Sequence, residues 1–174
     1  MSLYTHPAAD EYAPYYGKYI DRVGDDTLAA LVSQAAETAK LLAATSEEKA
    51  GYRYAEGKWS VRQVIGHVTD TERVFTYRAM RVSRGDLTPL PGFDENEFMK
   101  VANFDQRSLA DLAAEFAAVR AATVLFYRSL NAAAVGRRGT ASGQPVTVRA
   151  LCAMTAGHEL HHLSLLRERY GLVG

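Results

Sequence analysis

Four stretches of this sequence repeat apolar residues at the helical period, and together they take up more than half of the chain. The first runs from about Asp25 to Thr45. Asp25, Asp26 and Thr27 offer N-caps, and an alanine-rich body carrying Leu28, Leu31, Val32, Leu41 and Leu42 follows. The second runs from Ser60 to about Arg84, with Ser60 and Gln63 in capping-box register and Gly85 placed to end it. Its apolar face reads Val61, Val64, Ile65, Val68, Phe75 and Ala79. The third runs from Ser108 to about Leu130 and takes its bulk from Leu109, Leu112, Phe116, Val119, Val124 and Phe126. The fourth runs from Thr147, a cap, to Tyr170, just before Gly171, with Arg167 and Arg169 suiting the negative end of the dipole. Strand signals are weak: 145–148 has an extended look, but nothing alternates over six residues.

The economical reading is an all-α four-helix bundle, one domain over residues 1–174 with an N-terminal extension of about 20 residues. About 23 residues separate the second and third helices, including Pro89, Pro91, Gly92 and the acidic run Asp94-Glu95-Asn96-Glu97. A connection of that length can cross the bundle and gives an up-down-down-up topology.

Composition bounds the function. Apolar residues make up 48% of the chain, and a domain of this size buries roughly 70% of its unfolded surface, so it needs no disulfide. The single cysteine, Cys152, falls on the apolar side of the fourth helix and reads as a small buried hydrophobe. The 20 basic residues balance 20 acidic ones, which argues against nucleic acid as a partner. With no membrane-length apolar run and no apolar leader segment, a soluble cytoplasmic protein is expected.

The histidines carry the chemistry. The fourth helix holds His158-Glu159-Leu160-His161-His162. Side chains four apart share a helix face, and a helical wheel places His158 and His162 on the inward face with Leu151, Thr155, Leu166 and Tyr170, and His161 at its edge. Burying both without a metal would leave four ring nitrogens in need of partners. His67 lies at the border of the apolar face of the second helix, ~10 Å along the axis from the cap, against ~15 Å for the His158–His162 midpoint from Tyr170. Those heights roughly agree if the two helices run antiparallel. Three imidazoles then form a metal site with coordination positions left for water or substrate.

The same residues spell His-Glu-x-x-His, the zinc-protease pattern. That reading is weak. Glu168 stands where an extended motif has its third ligand, but the glycine such a motif needs for chain reversal is Leu165 here. Glu159 and Glu72 also fall inward. Either orients a ligand histidine or acts as a base, or both are held in salt bridges with arginines such as Arg73, Arg78 or Arg81.

The segment Lys58-Trp59-Ser60-Val61-Arg62-Gln63-Val64-Ile65-Gly66-His67, then Asp70-Thr71-Glu72-Arg73, then Arg84 through Glu95, and finally Gly157-His158-Glu159-Leu160-His161-His162 resemble, in this order, the DinB/YfiT-like superfamily. The resemblance covers about Ala29 to Tyr170. It implies a four-helix bundle of up-down-down-up topology, one divalent metal ion (zinc or nickel) on His67, His158 and His162, and a homodimer.

It also implies three candidate functions. The first is a metal-dependent S-transferase or isomerase using a low-molecular-weight thiol such as bacillithiol, mycothiol or glutathione. The second is a metal-dependent hydrolase with Glu159 or Glu72 as base. The third is a non-enzymatic stress-response module that binds metal. In the first, the loop Pro89 to Phe98 is expected to line the pocket of a small-molecule substrate.

Overall fold

The computed structural model describes residues 2–173. In chain order the helices are α1 (Gly17–Ile20), α2 (Thr27–Ala43), α3 (Glu47–Ala50), α4 (Val61–Ser83), α5 (Glu95–Val101), α6 (Leu109–Arg128), α7 (Ala132–Val135) and α8 (Val148–Glu168). A hairpin of β1 (Arg138–Ala141) and β2 (Gln144–Thr147) precedes α8. Among the described residues, no helix is long and apolar enough to cross a membrane.

The four long helices begin and end close to where their capping residues place them. Asp26 accepts from the Ala29 amide, Ser108 from Asp111 and Thr147 from Ala150. Ser60 and Gln63 close a reciprocal capping box. Gly85 and Gly171 take positive φ after α4 and α8, the conformation that suits glycine at a helix end.

Cross-contacts fix the directions. Thr27 meets Cys152 and Thr38 meets Glu159, so α2 and α8 are parallel. Trp59, just before α4, meets Tyr170, just after α8, and His67 meets His162, so α4 and α8 are antiparallel. Gly66 packs on Phe104 and Thr76 meets Thr123, so α4 and α6 are parallel. This is the expected up-down-down-up bundle, and the long crossover between α4 and α6 contains the short helix α5.

The core departs from the sequence reading in three places. Val32 is exposed, because the inward positions of α2 belong to Leu31, Gln34, Thr38 and Leu41. Val119, Val124 and Phe126 are only half-buried, because α6 turns Phe116, Arg120, Thr123 and Tyr127 inward. The hairpin is the third difference. Its strands have four residues each and pair Arg138 with Thr147 through Ala141 with Gln144. They are too short for a periodic signal. Only Ser142-Gly143 marks them: both residues take positive φ, as a tight hairpin turn requires.

Cys152 is fully buried and accepts a hydrogen bond from Thr27 at 3.6 Å. Burial pushes its thiol up to about 12, so it is no nucleophile at neutral pH.

Candidate metal centre

His67 enters from α4, and His158 and His162 enter from adjacent turns of α8. The relative slide of the two helices is set at one end by the Tyr170 hydroxyl, which donates to the Trp59 carbonyl at 2.8 Å. With that end pinned, the Nε2 atom of His158 lies 3.1 Å from Nε2 of His67 and 3.1 Å from Nε2 of His162. The three nitrogens all lie within 4.8 Å of one another.

This spacing fits a shared cation better than a hydrogen-bonded cluster. A single Nε2 on His158 offers either one hydrogen or one in-plane lone pair, and so cannot make good hydrogen bonds to both neighbours. Ligands at ~2.05 Å in a tetrahedron are ~3.3 Å apart, close to the two 3.1 Å separations from His158. Burial supports the same reading. All three rings are almost fully buried. Burial holds His67 down to about 4, and burial plus the neighbouring rings hold His158 and His162 well below the usual range. All three are therefore neutral near pH 7, which is the form that binds metal.

Two glycines admit the surroundings of the site. A Cβ on Gly66 would lie 2.5 Å from the Phe104 ring. A Cβ on Gly157 would lie 2.1 Å from the Tyr19 carbonyl oxygen, so Gly157 is what lets the N-terminal segment lie against α8 next to His158. Replacing Gly157 by alanine gains ~1 kcal/mol in helix propensity. The clash is with backbone, and overpacking costs ~1–3 kcal/mol or more. A lowered thermal midpoint and faster proteolysis of the first 25 or so residues are expected; unchanged values for both would contradict this packing.

A cavity of about 320 Å³ opens above the three rings. Its walls are Tyr15, Tyr16, Tyr19, Trp59, Phe75 and Phe93, with Thr71, Glu95 and Ser142 as polar members. Trp59 stands 4.9 Å from His67 between ring centres, and Tyr19 stands 5.5 Å from His158. The expected loop contributes Phe93 and Glu95. His161 is half-buried at the rim, 5.3 Å from the Tyr19 ring, and is outside the group of three. The tyrosines were not singled out from sequence. Their signal was the aromatic run Tyr12, Tyr15, Tyr16 and Tyr19 in a segment read only as an extension.

Glu72 and Glu159 are inward, as the wheel placed them, but neither lines the cavity. Both are held by Arg120 of α6, a residue the sequence reading did not single out. Arg120 Nη2 donates to Glu72 Oε2 at 2.7 Å and to Glu159 Oε2 at 2.7 Å, and Nε donates to Glu72 Oε1 at 2.9 Å. Arg120 Nη1 donates to the Leu31 carbonyl at 3.1 Å, and the Thr38 hydroxyl donates to Glu159 Oε1 at 2.5 Å. Burial pushes the Glu159 carboxyl above its usual range, against the pull of Arg120 and Thr38. The arginines expected as partners are engaged elsewhere. Arg73 pairs with Asp70 and Glu115, Arg78 donates to the Pro91 carbonyl and Ser142, and Arg81 pairs with Asp86.

The model of the DinB superfamily matches residues 30–166. The chain belongs to the DinB superfamily. Two solved structures share its fold. YfiT from Bacillus subtilis, described as a probable metal-dependent hydrolase with an unusual four-helix bundle topology, aligns with a TM-score of 0.72 at 16% identity, over 99% of this chain and 100% of that one. The mycothiol-dependent maleylpyruvate isomerase aligns with a TM-score of 0.68 at 16% identity, over 89% of this chain and 62% of that one. At such identities the likeness is one of fold. Among curated protein sequences there is no significant match.

Proposed function

We propose that this member of the DinB superfamily is a metal-dependent enzyme that holds one divalent ion on His67, His158 and His162 and transfers or isomerises with a low-molecular-weight thiol. The observation that carries the metal reading is the meeting of three imidazole nitrogens on the wall of a cavity sized for a small molecule. A divalent ion there supplies Lewis acidity, which lowers the pKa of a bound thiol or water so that a nucleophile exists at neutral pH.

The rest is the work of the chain's own residues. Tyr19, Trp59 and Phe75 surround the histidines with low-dielectric walls that exclude bulk water and give flat apolar groups a surface to lie on. Burial raises the Tyr19 phenol, so it keeps its proton and remains a hydrogen-bond donor at neutral pH. Zinc and nickel both suit an all-imidazole donor set.

A hydrolase is the second reading, and the fold likeness to YfiT favours it. The placement of the carboxylates weighs the other way. Hydrolysis calls for a base at the attacking water, and Glu72 and Glu159 are both committed to Arg120. Glu95 is the carboxylate on the cavity wall and takes the role of base in that reading. An ion held by the three histidines would stabilise the thiolate of a thiol, whose own pKa is already far below that of water, and the proton would pass to solvent.

The test is turnover of chlorodinitrobenzene and of maleylpyruvate by metal-loaded protein, with bacillithiol, mycothiol and glutathione in turn, beside ester and amide substrates without thiol. Thiol-dependent turnover that disappears in His158→Ala is expected. Ester or amide turnover without thiol would move the assignment to the hydrolase, and no rate above background with any thiol would remove the transferase.

A further inference from the structure

The histidines leave at least one coordination position of a metal ion open, and the wall beside them holds a hydroxyl with nothing to bond. Thr71 is on α4, one turn beyond His67, and lines the same cavity. It is 2% exposed, and its Oγ1 is buried without a hydrogen-bond partner among the described residues.

Other buried threonines in the bundle do not share this condition. Thr69 and Thr155 donate back to the carbonyls of Ile65 and Leu151, four residues earlier. Thr38 donates to Glu159 and Thr147 to Glu11. A mid-helix threonine usually returns its hydroxyl to the backbone in this way, but Thr71 makes no such bond to the His67 carbonyl. An unmet buried hydroxyl costs stability, and a partner supplied from outside the chain would remove that cost. Side chains on a helix lean toward its N-terminus, which carries the Thr71 side chain toward His67.

We propose that Thr71 is a binding residue for the exogenous ligand of the metal: its hydroxyl hydrogen-bonds the anionic or lone-pair-bearing atom that fills the position left open by the three histidines. This rests on the metal reading above and adds a fourth protein contact, to the ligand instead of the ion.

The experiment uses tag-free protein loaded with cobalt(II) and titrated with azide, followed by the visible absorption of the cobalt. Wild type, Thr71→Val and Thr71→Ser are compared, with the thermal midpoint of each metal-free protein. Valine replaces the hydroxyl by a methyl of similar size, and serine keeps the hydroxyl. Cobalt affinity is expected to be unchanged in all three. Azide should bind about tenfold more weakly to Thr71→Val, the loss of one hydrogen bond to a charged group, and Thr71→Ser should stay close to wild type. The metal-free Thr71→Val protein should melt no lower than wild type, because an orphaned hydroxyl has been removed.

Equal azide affinity in wild type and Thr71→Val would overturn the proposal and leave the metal site standing. So would a Thr71→Val protein that melts lower and loses cobalt and azide together, which is a structural role. A wild type that takes up no cobalt, or takes it up equally with His158→Ala, would overturn the metal reading and this proposal with it.

Discussion

Replacing Arg120 by methionine is expected to destabilise the protein by about 3–5 kcal/mol, the usual cost of removing one partner from a buried ion pair. The reason is the two carboxylates left behind. Glu72 and Glu159 are 2% and 1% exposed, and Arg120 supplies the guanidinium to both. Without it they repel each other in a medium that solvates neither, and among the described residues only Thr38 still donates to Glu159. Arg120 also ties α2, α4, α6 and α8 together through Leu31, Glu72 and Glu159. Denaturant unfolding measures the loss. Combining Arg120→Met with Glu72→Gln and Glu159→Gln removes the uncompensated charge and should restore most of the stability. A single variant within ~1 kcal/mol of wild type would mean that the carboxylates find protons or water at little cost.

His158→Ala is expected to weaken metal binding by more than ~100-fold, beyond the 10–100-fold typical of groups that merely support a ligand. His158 is the residue whose Nε2 lies within 3.1 Å of both other rings, so its loss leaves two ligands on different helices and an enlarged cavity. His161→Ala, one turn from His158 and facing Tyr19, should bind nearly as tightly as wild type. Competition against a chromophoric chelator separates the two. If both substitutions weaken binding equally, the ligand set is wrong.

The helices were legible because their ends are written in residues with local chemistry: Ser60 with Gln63, Ser108, Thr147, Gly85 and Gly171 act within a few residues of themselves. The three histidines were legible because a wheel and an axial height suffice to bring them together. Arg120 was not legible. Its meaning depends on what α6 packs against, and an arginine in the middle of an alanine-rich helix reads as surface. Two inward carboxylates did call for an inward cation, but the arginines considered, Arg73, Arg78 and Arg81, lie on the same helix as Glu72 and are engaged elsewhere. The tyrosine wall was hidden for a similar reason. Gly157 admits the Tyr19 backbone against α8, and no local pattern reveals a contact across 138 residues of chain.

The central claim is that His67, His158 and His162 hold one divalent ion. Its most direct test is elemental analysis of protein purified without a histidine tag, wild type beside the His158→Ala, His162→Ala double variant. The account predicts ~1 equivalent of zinc or nickel in the wild type and almost none in the variant. The same occupancy in both would contradict it.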